Sequence, residues 1–474
     1  MIGSAGARRN PQILTFRGPG RRARASILRL VIGLVIALSV VGLVRVADAG
    51  PDQQAGGPRI ERTVASADRP SGQLYRAAGP VLSTDGGLLV FWSGAGDLLT
   101  DDTNGAIDVF IKDRRSGAIE RISVAADGGQ GDGPSLNAAL SADGRFVAFE
   151  SRATNLARGD LNRSSDVFVK DRQSGAIERA SVSAEGGEGN GGSFRPAMSA
   201  DGRYVAFWSE ASTLVSDDTN RTYDNGGYDV FVKDRLSGAI ERLSVPLDRS
   251  QGSADSVAPS LSADGRLVAF GSYATNLVSD DTNGVPDIFV KDRETGLVER
   301  ISVAADGAQA SADSFWHPVI SADGRFVAFW SAADNLVPDD TNGAIDVFVR
   351  DRQTGAVERI SVAPDGAQSD GASYSPALSA DGQIVAFWSE AANLVAGDAN
   401  GLADVFVKDR SSGSLERVSV AAGGMPANGL SHSPTLSADG RLVAFWSEAA
   451  NIVADDTNGR ADVFTVDRAE PAGF

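Results

Sequence analysis

Between about residue 75 and residue 468, apolar and polar positions fall into short runs with the two-residue period of β-strands. In Phe326–Ser331 (Phe-Val-Ala-Phe-Trp-Ser) the apolar side chains occupy both alternating faces, which predicts a strand buried on both sides. A Pro-x-(Leu/Met/Ile)-Ser segment, such as 196–199, predicts a strand before it. The two are joined by Asp-Gly, where glycine accepts a positive φ at little cost. Asp346–Asp351 predicts a third strand. A Thr354-Gly355 turn then leads to a fourth at 357–362, whose alternating polar residues belong at a wet outer edge. The four are named strands a to d in chain order.

This unit repeats. Ser-x-Asp-Gly begins at Ser83, Ser141, Ser199, Ser262, Ser321, Ser379 and Ser437, at intervals of 58, 58, 63, 59, 58 and 58 residues. Asp-(Val/Ile)-Phe follows the same spacing from Asp108 to Asp462. A four-stranded unit whose second strand is buried on both faces needs a neighbour on each side, and radial repetition supplies both. The predicted fold is all-β: a seven-bladed β-propeller of four-stranded antiparallel blades over residues 60–468. The last copy stops after Asp467-Arg468 without a strand d, whereas Ile60-Glu61-Arg62 begins like strand d of the other copies. The N-terminal strand is therefore expected to close the last blade. Its next residues, Thr63 and Val64, drift by one from the Ile-Ser-Val pattern.

Ahead of the ring, seven arginines (Arg8, Arg9, Arg17, Arg21, Arg22, Arg24, Arg29) precede a 15-residue run, 30–44, that carries no charge. Ala47-Asp48-Ala49 then offers a small-x-small cleavage site. Residues 1–49 are expected to be a signal peptide, or an N-terminal anchor if left uncleaved, followed by a linker at 50–59; residues 469–474 form a tail. Either way the body is exported, with the membrane touched only by this segment. Without residues 1–49, which hold eight Arg and one Asp, the body carries 36 basic and 61 acidic side chains, a net of −25. That balance excludes nucleic acid as a partner, because binding it runs on basic patches. The absence of cysteine removes disulfides, thiolate metal sites and cysteine nucleophiles together.

Pro-x-Leu-Ser-x-Asp-Gly, then Val-Ala-Phe-Trp-Ser, then Asp-Val-Phe-Val-Lys-Asp-Arg, resembles the WD-like propeller repeat of TolB-type proteins. The resemblance spans nearly the whole exported body, although the segment between strands b and c is longer than in the compact family repeat. It implies an exported or periplasmic interaction scaffold; the expected partner is a protein or glycan of the cell envelope, and the expected state is a monomer. Related repeats also precede α/β-hydrolase peptidase domains. Here no Gly-x-Ser-x-Gly elbow is present and only six residues follow Arg468.

In an antiparallel blade the a–b and c–d turns share one face of the ring, and the b–c and d–a loops share the other. The long, variable and acidic segments all fall on the second face, so localised function is expected there. Two groups of candidates result. The b–c loops carry Asp-x-Asn in all seven copies, usually continuing Gly-x-x-Asp: Asp102, Asn104, Asp108; Asp281, Asn283, Asp287; Asp340, Asn342, Asp346; Asp398, Asn400, Asp404; Asp456, Asn458, Asp462. Oxygen ligands on alternate residues around a glycine turn resemble a calcium loop, and Ca2+ is the one cofactor the pattern suggests. The same residues suit an Asx-type turn in which Asp and Asn satisfy local backbone amides. Blade 3 widens this loop by five residues, 221–225, adding Tyr223 and Asp224.

The other group lies just before strand a, at the mouth of the central channel. Five residues before the serine marker stand Ala78, Leu136, Phe194, Val257, Trp316, Tyr374 and His432; the next position holds Gly79, Asn137, Arg195, Ala258, His317, Ser375 and Ser433. These are the least repetitive positions of the repeat. Phe194, Arg195, Trp316, His317, Tyr374 and His432 are the expected walls of a ligand pocket, because breaking symmetry is how a ring builds a single site. Five tryptophans (Trp92, Trp208, Trp330, Trp388, Trp446) share one strand-b position and read as blade packing, with Glu150 and Gly271 in the same slot elsewhere. Nothing in the pattern supports catalysis. The expected function is non-enzymatic binding through the acidic loop face; the alternatives are a calcium-binding propeller and a carbohydrate-active enzyme.

Overall fold

The computed structural model describes residues 59–64, 78–94, 96, 98–219, 227–315 and 317–468. The N-terminal segment, the blade 3 insertion, Trp316 and the C-terminal tail lie outside the described residues. The described residues belong to one compact unit, 41–474, and no helix among them is long and apolar enough to cross a membrane. They form seven four-stranded antiparallel sheets in the order a-b-c-d. Blade 3, for example, is built from Ser193–Met198, Tyr204–Ser209, Asp229–Asp234 and Ile240–Arg242. Strands a of successive blades adjoin one another around the axis, so they line the channel.

Doubly apolar strands b and c put the core between blades. Val327, Ala328, Phe329, Val347 and Phe348 are fully buried, and Phe329 stacks on Phe348 with centroids 5.8 Å apart. The cluster around Phe329 draws Ala269, Ile288 and Val290 from the preceding blade. Burying one such phenylalanine contributes roughly 1.5–3 kcal/mol.

Strand d is shorter than its polar alternation predicts: Val357–Arg359 in blade 5 in place of 357–362. Beyond Arg359 a side chain replaces the ladder. Ser361 Oγ accepts the Val347 N–H at 3.1 Å and donates to Asp346.

The turn face fastens each blade to its neighbour. Ser321 Oγ donates to Asp323 and accepts the Phe326 N–H at 2.9 Å, which fixes the tight a–b turn. Gly324 holds φ at 75°, and a β-carbon there would run into Leu267 of the preceding blade. Ala322 N–H donates across blades to Ala380 O at 2.9 Å. Arg352 reaches back to Gly324 O at 2.7 Å and to Glu299 of the preceding blade at 2.8 Å.

The ring closes as the sequence predicts. Arg59–Val64 pairs antiparallel with Asp462–Asp467, and a register shift between Arg62 and Val64 absorbs the one-residue drift. Val64 is thereby buried with Phe91 and Phe110 of blade 1. The borrowed strand also reproduces the polar contacts of every other strand d. Glu61 meets Arg114 at 3.5 Å, and Arg62 meets Asp456 at 3.2 Å and Asp462 at 3.5 Å.

Candidate functional site

The acidic b–c loops are assembled around a guanidinium. Strand d pairs antiparallel with strand c, so its arginine stands beside the aspartate that opens strand c and the aspartate of the loop. Arg121 lies 3.5 Å from both Asp102 and Asp108. Arg300 lies 3.3 Å from Asp281 and 3.7 Å from Asp287, and Arg359 lies 2.7 Å from Asp340 and 3.7 Å from Asp346. Arg417 lies 2.7 Å from Asp398 and 3.4 Å from Asp404. Arg242 plays the same part between Asp218 and Asp229 in blade 3, at 3.1 and 3.6 Å.

The loop asparagines turn the backbone. Asn104 Oδ1 accepts the Ala106 N–H at 2.9 Å while its Nδ2 donates to Asp108 at 2.9 Å. Asn283, Asn342, Asn400 and Asn458 donate likewise to Asp287, Asp346, Asp404 and Asp462, at 3.0, 2.9, 3.0 and 3.2 Å. Burial outweighs the arginine at the innermost carboxylates and pushes Asp108 and Asp287 up to about 6. In blade 2, Asp160, Asp166 and Glu188 lie within 4.8 Å of one another, and Arg179 is among them, 3.2 Å from Asp166 and 3.7 Å from Asp160. What remains exposed is the residue before the paired aspartate: Asp101, Asp217, Asp280, Asp339 and Asp455 form an acidic rim.

The channel mouth repeats its backbone and varies its side chains. Strand a breaks register after Ala78, Leu136, Phe194, Val257, Tyr374 and His432. The residue that follows is left-handed in every blade: φ is 62° at Gly79, 45° at Asn137, 46° at Arg195, 54° at Ala258, 77° at His317, 46° at Ser375 and 54° at Ser433. Glycine and asparagine occupy that region readily; arginine and alanine do so at a cost.

The first variable position stacks on the blade's own tryptophan. Centroids are 4.6 Å apart for Phe194 and Trp208, 4.2 Å for Tyr374 and Trp388, and 4.1 Å for His432 and Trp446. In blade 5 that role falls to Phe315, whose N–H donates to Trp330 O at 2.9 Å and whose ring stacks at 4.3 Å. The 59-residue interval hides an added residue here, so counting back from the serine points to residue 316 where Phe315 makes the contact. Blade-to-blade contacts of 5.4 Å (Trp330 to Tyr374) and 6.0 Å (Trp388 to His432) join these into an aromatic arc from Phe315 to Trp446.

The arc stops at blade 4, where Gly271 faces Val257 in place of tryptophan. A polar cluster lies across that gap. Buried Glu150, in the tryptophan slot of blade 2, accepts the Arg195 N–H at 2.8 Å. The Arg195 guanidinium reaches over blade 4 to His317, with Nη1 2.6 Å from Nε2. Both side chains are half-exposed at the channel mouth. Burial, reinforced by the Arg195 charge, holds His317 well below 6.5, so a neutral imidazole accepts from the guanidinium. Burial likewise raises Glu150. Among the described residues no carboxylate oxygen stands within ion-pair distance of Arg195.

The structure thus brings Arg195 and His317 together, spreads Tyr374 and His432 along the aromatic arc, and leaves Phe194 stacked on Trp208 beside them. Phe315, Glu150 and Asn137 join the mouth. The signal for Glu150 is visible in the chain as the one charged residue in a tryptophan slot.

No protein-family model matches the chain, and none of the curated proteins compared with it does. Solved structures do. An oligogalacturonate lyase in complex with manganese is 11% identical over 91% of this chain and 99% of its own, with a TM-score of 0.53. The β-propeller domain of the Trilobed protease from Pyrococcus furiosus is 12% identical over 84% of this chain and 96% of its own, with a TM-score of 0.51. TolB from Acinetobacter baumannii is also among the neighbours, 14% identical over 83% of this chain and 78% of its own, with a TM-score of 0.36. Identities this low speak to architecture alone. The chain is a seven-bladed β-propeller, closed by its own N-terminal strand.

Proposed function

We propose that this propeller is a non-enzymatic binding protein, exported to the cell envelope, that takes its ligand at the channel mouth on the loop face. One observation carries the reading: the side chains of the mouth differ from blade to blade, although the backbone beneath them repeats in all seven. Packing needs no such variety, because the same bulge is served by Gly79 in one blade and Ser433 in another. Half-exposed Phe315, Trp330, Tyr374 and Trp388 offer flat apolar surface, which suits sugar rings or aromatic groups. In this reading the Asp-x-Asn loops serve the ring itself. The strand-d arginine takes the place that calcium would have, and the exposed aspartates set the charge a partner meets.

Binding of the full chain to an array of neutral and acidic oligosaccharides, oligogalacturonate included, and of lysine-rich peptides tests this. Capture by a subset of probes, weakened about tenfold by Tyr374→Ala, is the expected result. Binding that ignores Tyr374→Ala but is lost when Asp101 and Asp280 become Asn would place function on the acidic rim instead. Turnover of an oligosaccharide would overturn the non-enzymatic reading.

A further inference from the structure

We propose that Arg195, oriented by His317, binds the carboxylate of a small organic monoacid at the channel mouth over blade 4. This rests on the mouth being the binding end and adds the chemical class of the ligand.

The arginines at two repeated positions have carboxylate partners. The strand-d arginine sits between two aspartates, as Arg242 does between Asp218 and Asp229. The arginine after strand c meets the preceding blade's glutamate, as Arg352 meets Glu299. Arg195 is different. It is half-buried, and among the described residues its guanidinium has a neutral imidazole as its hydrogen-bond partner. The Glu150 carboxylate supports the cation, but burial outweighs it, and the carboxylate is engaged by the Arg195 backbone N–H; an anion placed on the guanidinium itself would relieve the remaining cost.

The backbone does not ask for arginine. Arg195 stands at φ 46°, a left-handed position that Gly79 fills in blade 1 at φ 62°. A bulky residue kept where glycine would be easier points to use of its side chain. The neighbours leave that side chain available. Glu150 takes the Arg195 backbone N–H rather than the guanidinium, and His317 accepts from Nη1 alone. The remaining N–H groups form the planar fork that matches a carboxylate. In blade 4, which lies between Arg195 and His317, the corresponding positions hold the small residues Ala258 and Gly271.

The acidic rim narrows the ligand. Asp101, Asp217, Asp280, Asp339 and Asp455 are exposed on the same face, and their field disfavours multiply charged anions more than singly charged ones. A monocarboxylate fits and a phosphate monoester does not.

The test is calorimetric titration and thermal melting of the full chain with sodium galacturonate, sodium acetate, galactose and inorganic phosphate. The expected result is binding of galacturonate and acetate, with Arg195→Gly weakening both at least tenfold while melting no lower than wild type without ligand. Equal binding of galactose and galacturonate, tighter binding of phosphate than of either acid, or no binding of either acid overturns the proposal. If Arg195→Gly fails to fold, Arg195→Lys decides: it keeps the charge and loses the fork, so carboxylate affinity falls, and unchanged affinity refutes the assignment. Neutral ligands captured through Tyr374 but indifferent to Arg195 would sink this inference and leave the mouth as the binding end.

Discussion

Two concentric sets of residues on the loop face show how a repeat protein divides its labour. The outer set, in the b–c loops, repeats its chemistry: two carboxylates around a strand-d arginine, with an asparagine turning the chain in the six blades whose loop asparagine is described. The inner set, at the channel mouth, repeats only its backbone. Seven left-handed residues in seven blades carry Gly, Asn, Arg, Ala, His, Ser and Ser. Where side chains repeat, the buried carboxylates are matched by an arginine of the same blade. Where the backbone repeats and side chains do not, a site is free to differ from blade to blade. Charge is divided the same way, with paired carboxylates outside and a half-buried guanidinium beside a neutral imidazole within.

The largest expected effect is the loss of a cation from the outer set. Arg62→Ala or Arg242→Ala strips the cation from two buried aspartates, and urea denaturation should show a loss of about 3–5 kcal/mol. The loss is greatest in consequence for Arg62, which also belongs to the closing strand. A loss well under 1 kcal/mol would mean that the aspartates accommodate without their arginine. At the inner set, Tyr374→Ala should cost only about 0.5–1.5 kcal/mol, the worth of a stacked pair, while binding falls about tenfold.

Acidity separates the two faces as well. Asp108 and Asp287 are raised by burial to about 6, above their unfolded value. The stability they contribute is therefore complete below the unfolded pKa of about 4 and is lost as pH rises through about 6. On the turn face, Asp351 and Asp234 are held well below the usual carboxylate range by Arg325 and Arg203. Their contribution is present above about pH 4 and disappears as pH falls. Melting temperature should accordingly peak in mildly acidic buffer and decline on both sides, and Asp108→Asn should flatten the alkaline side. A monotonic rise to about pH 8 would contradict the burial of the loop carboxylates. The smallest expected effect is that of calcium. With the strand-d guanidinium among the loop carboxylates, melting in millimolar calcium and in a chelator should coincide, and a rise with calcium would restore the ion to the outer set.

The fold was legible because every copy restates it: the doubly apolar strand b, the Asp-Gly turn and the orphan Ile60-Glu61-Arg62 each have one structural solution. The closure register was not, because the bulge that carries Val64 past Thr63 exists only once the strands pair. Strand d ended early for a similar reason, since Ser361 substitutes for backbone hydrogen bonds that a strand pattern presumes. The site was half legible. Arg195 and His317 stood out as departures from the repeat, but nothing in linear spacing shows that one reaches the other across blade 4. Phe315 was hidden by a single added residue, which moves the count and leaves the stacking partner unchanged. The arginine of the outer set was present in every copy, 19 residues after its loop aspartate in the case of Arg121 and Asp102. Only the antiparallel register of strands c and d, which sets Arg121 opposite Phe110, brings the two together.

The division of labour is tested most directly by measuring melting temperature and galacturonate affinity side by side for Arg195→Gly and Arg242→Ala in the full chain. The two variants should cross over: Arg195→Gly keeps the melting temperature and loses the ligand, while Arg242→Ala loses melting temperature and, below its transition, keeps the ligand. If stability and affinity fall together in both, the inner and outer sets do the same work, and the broken symmetry of the mouth marks no site.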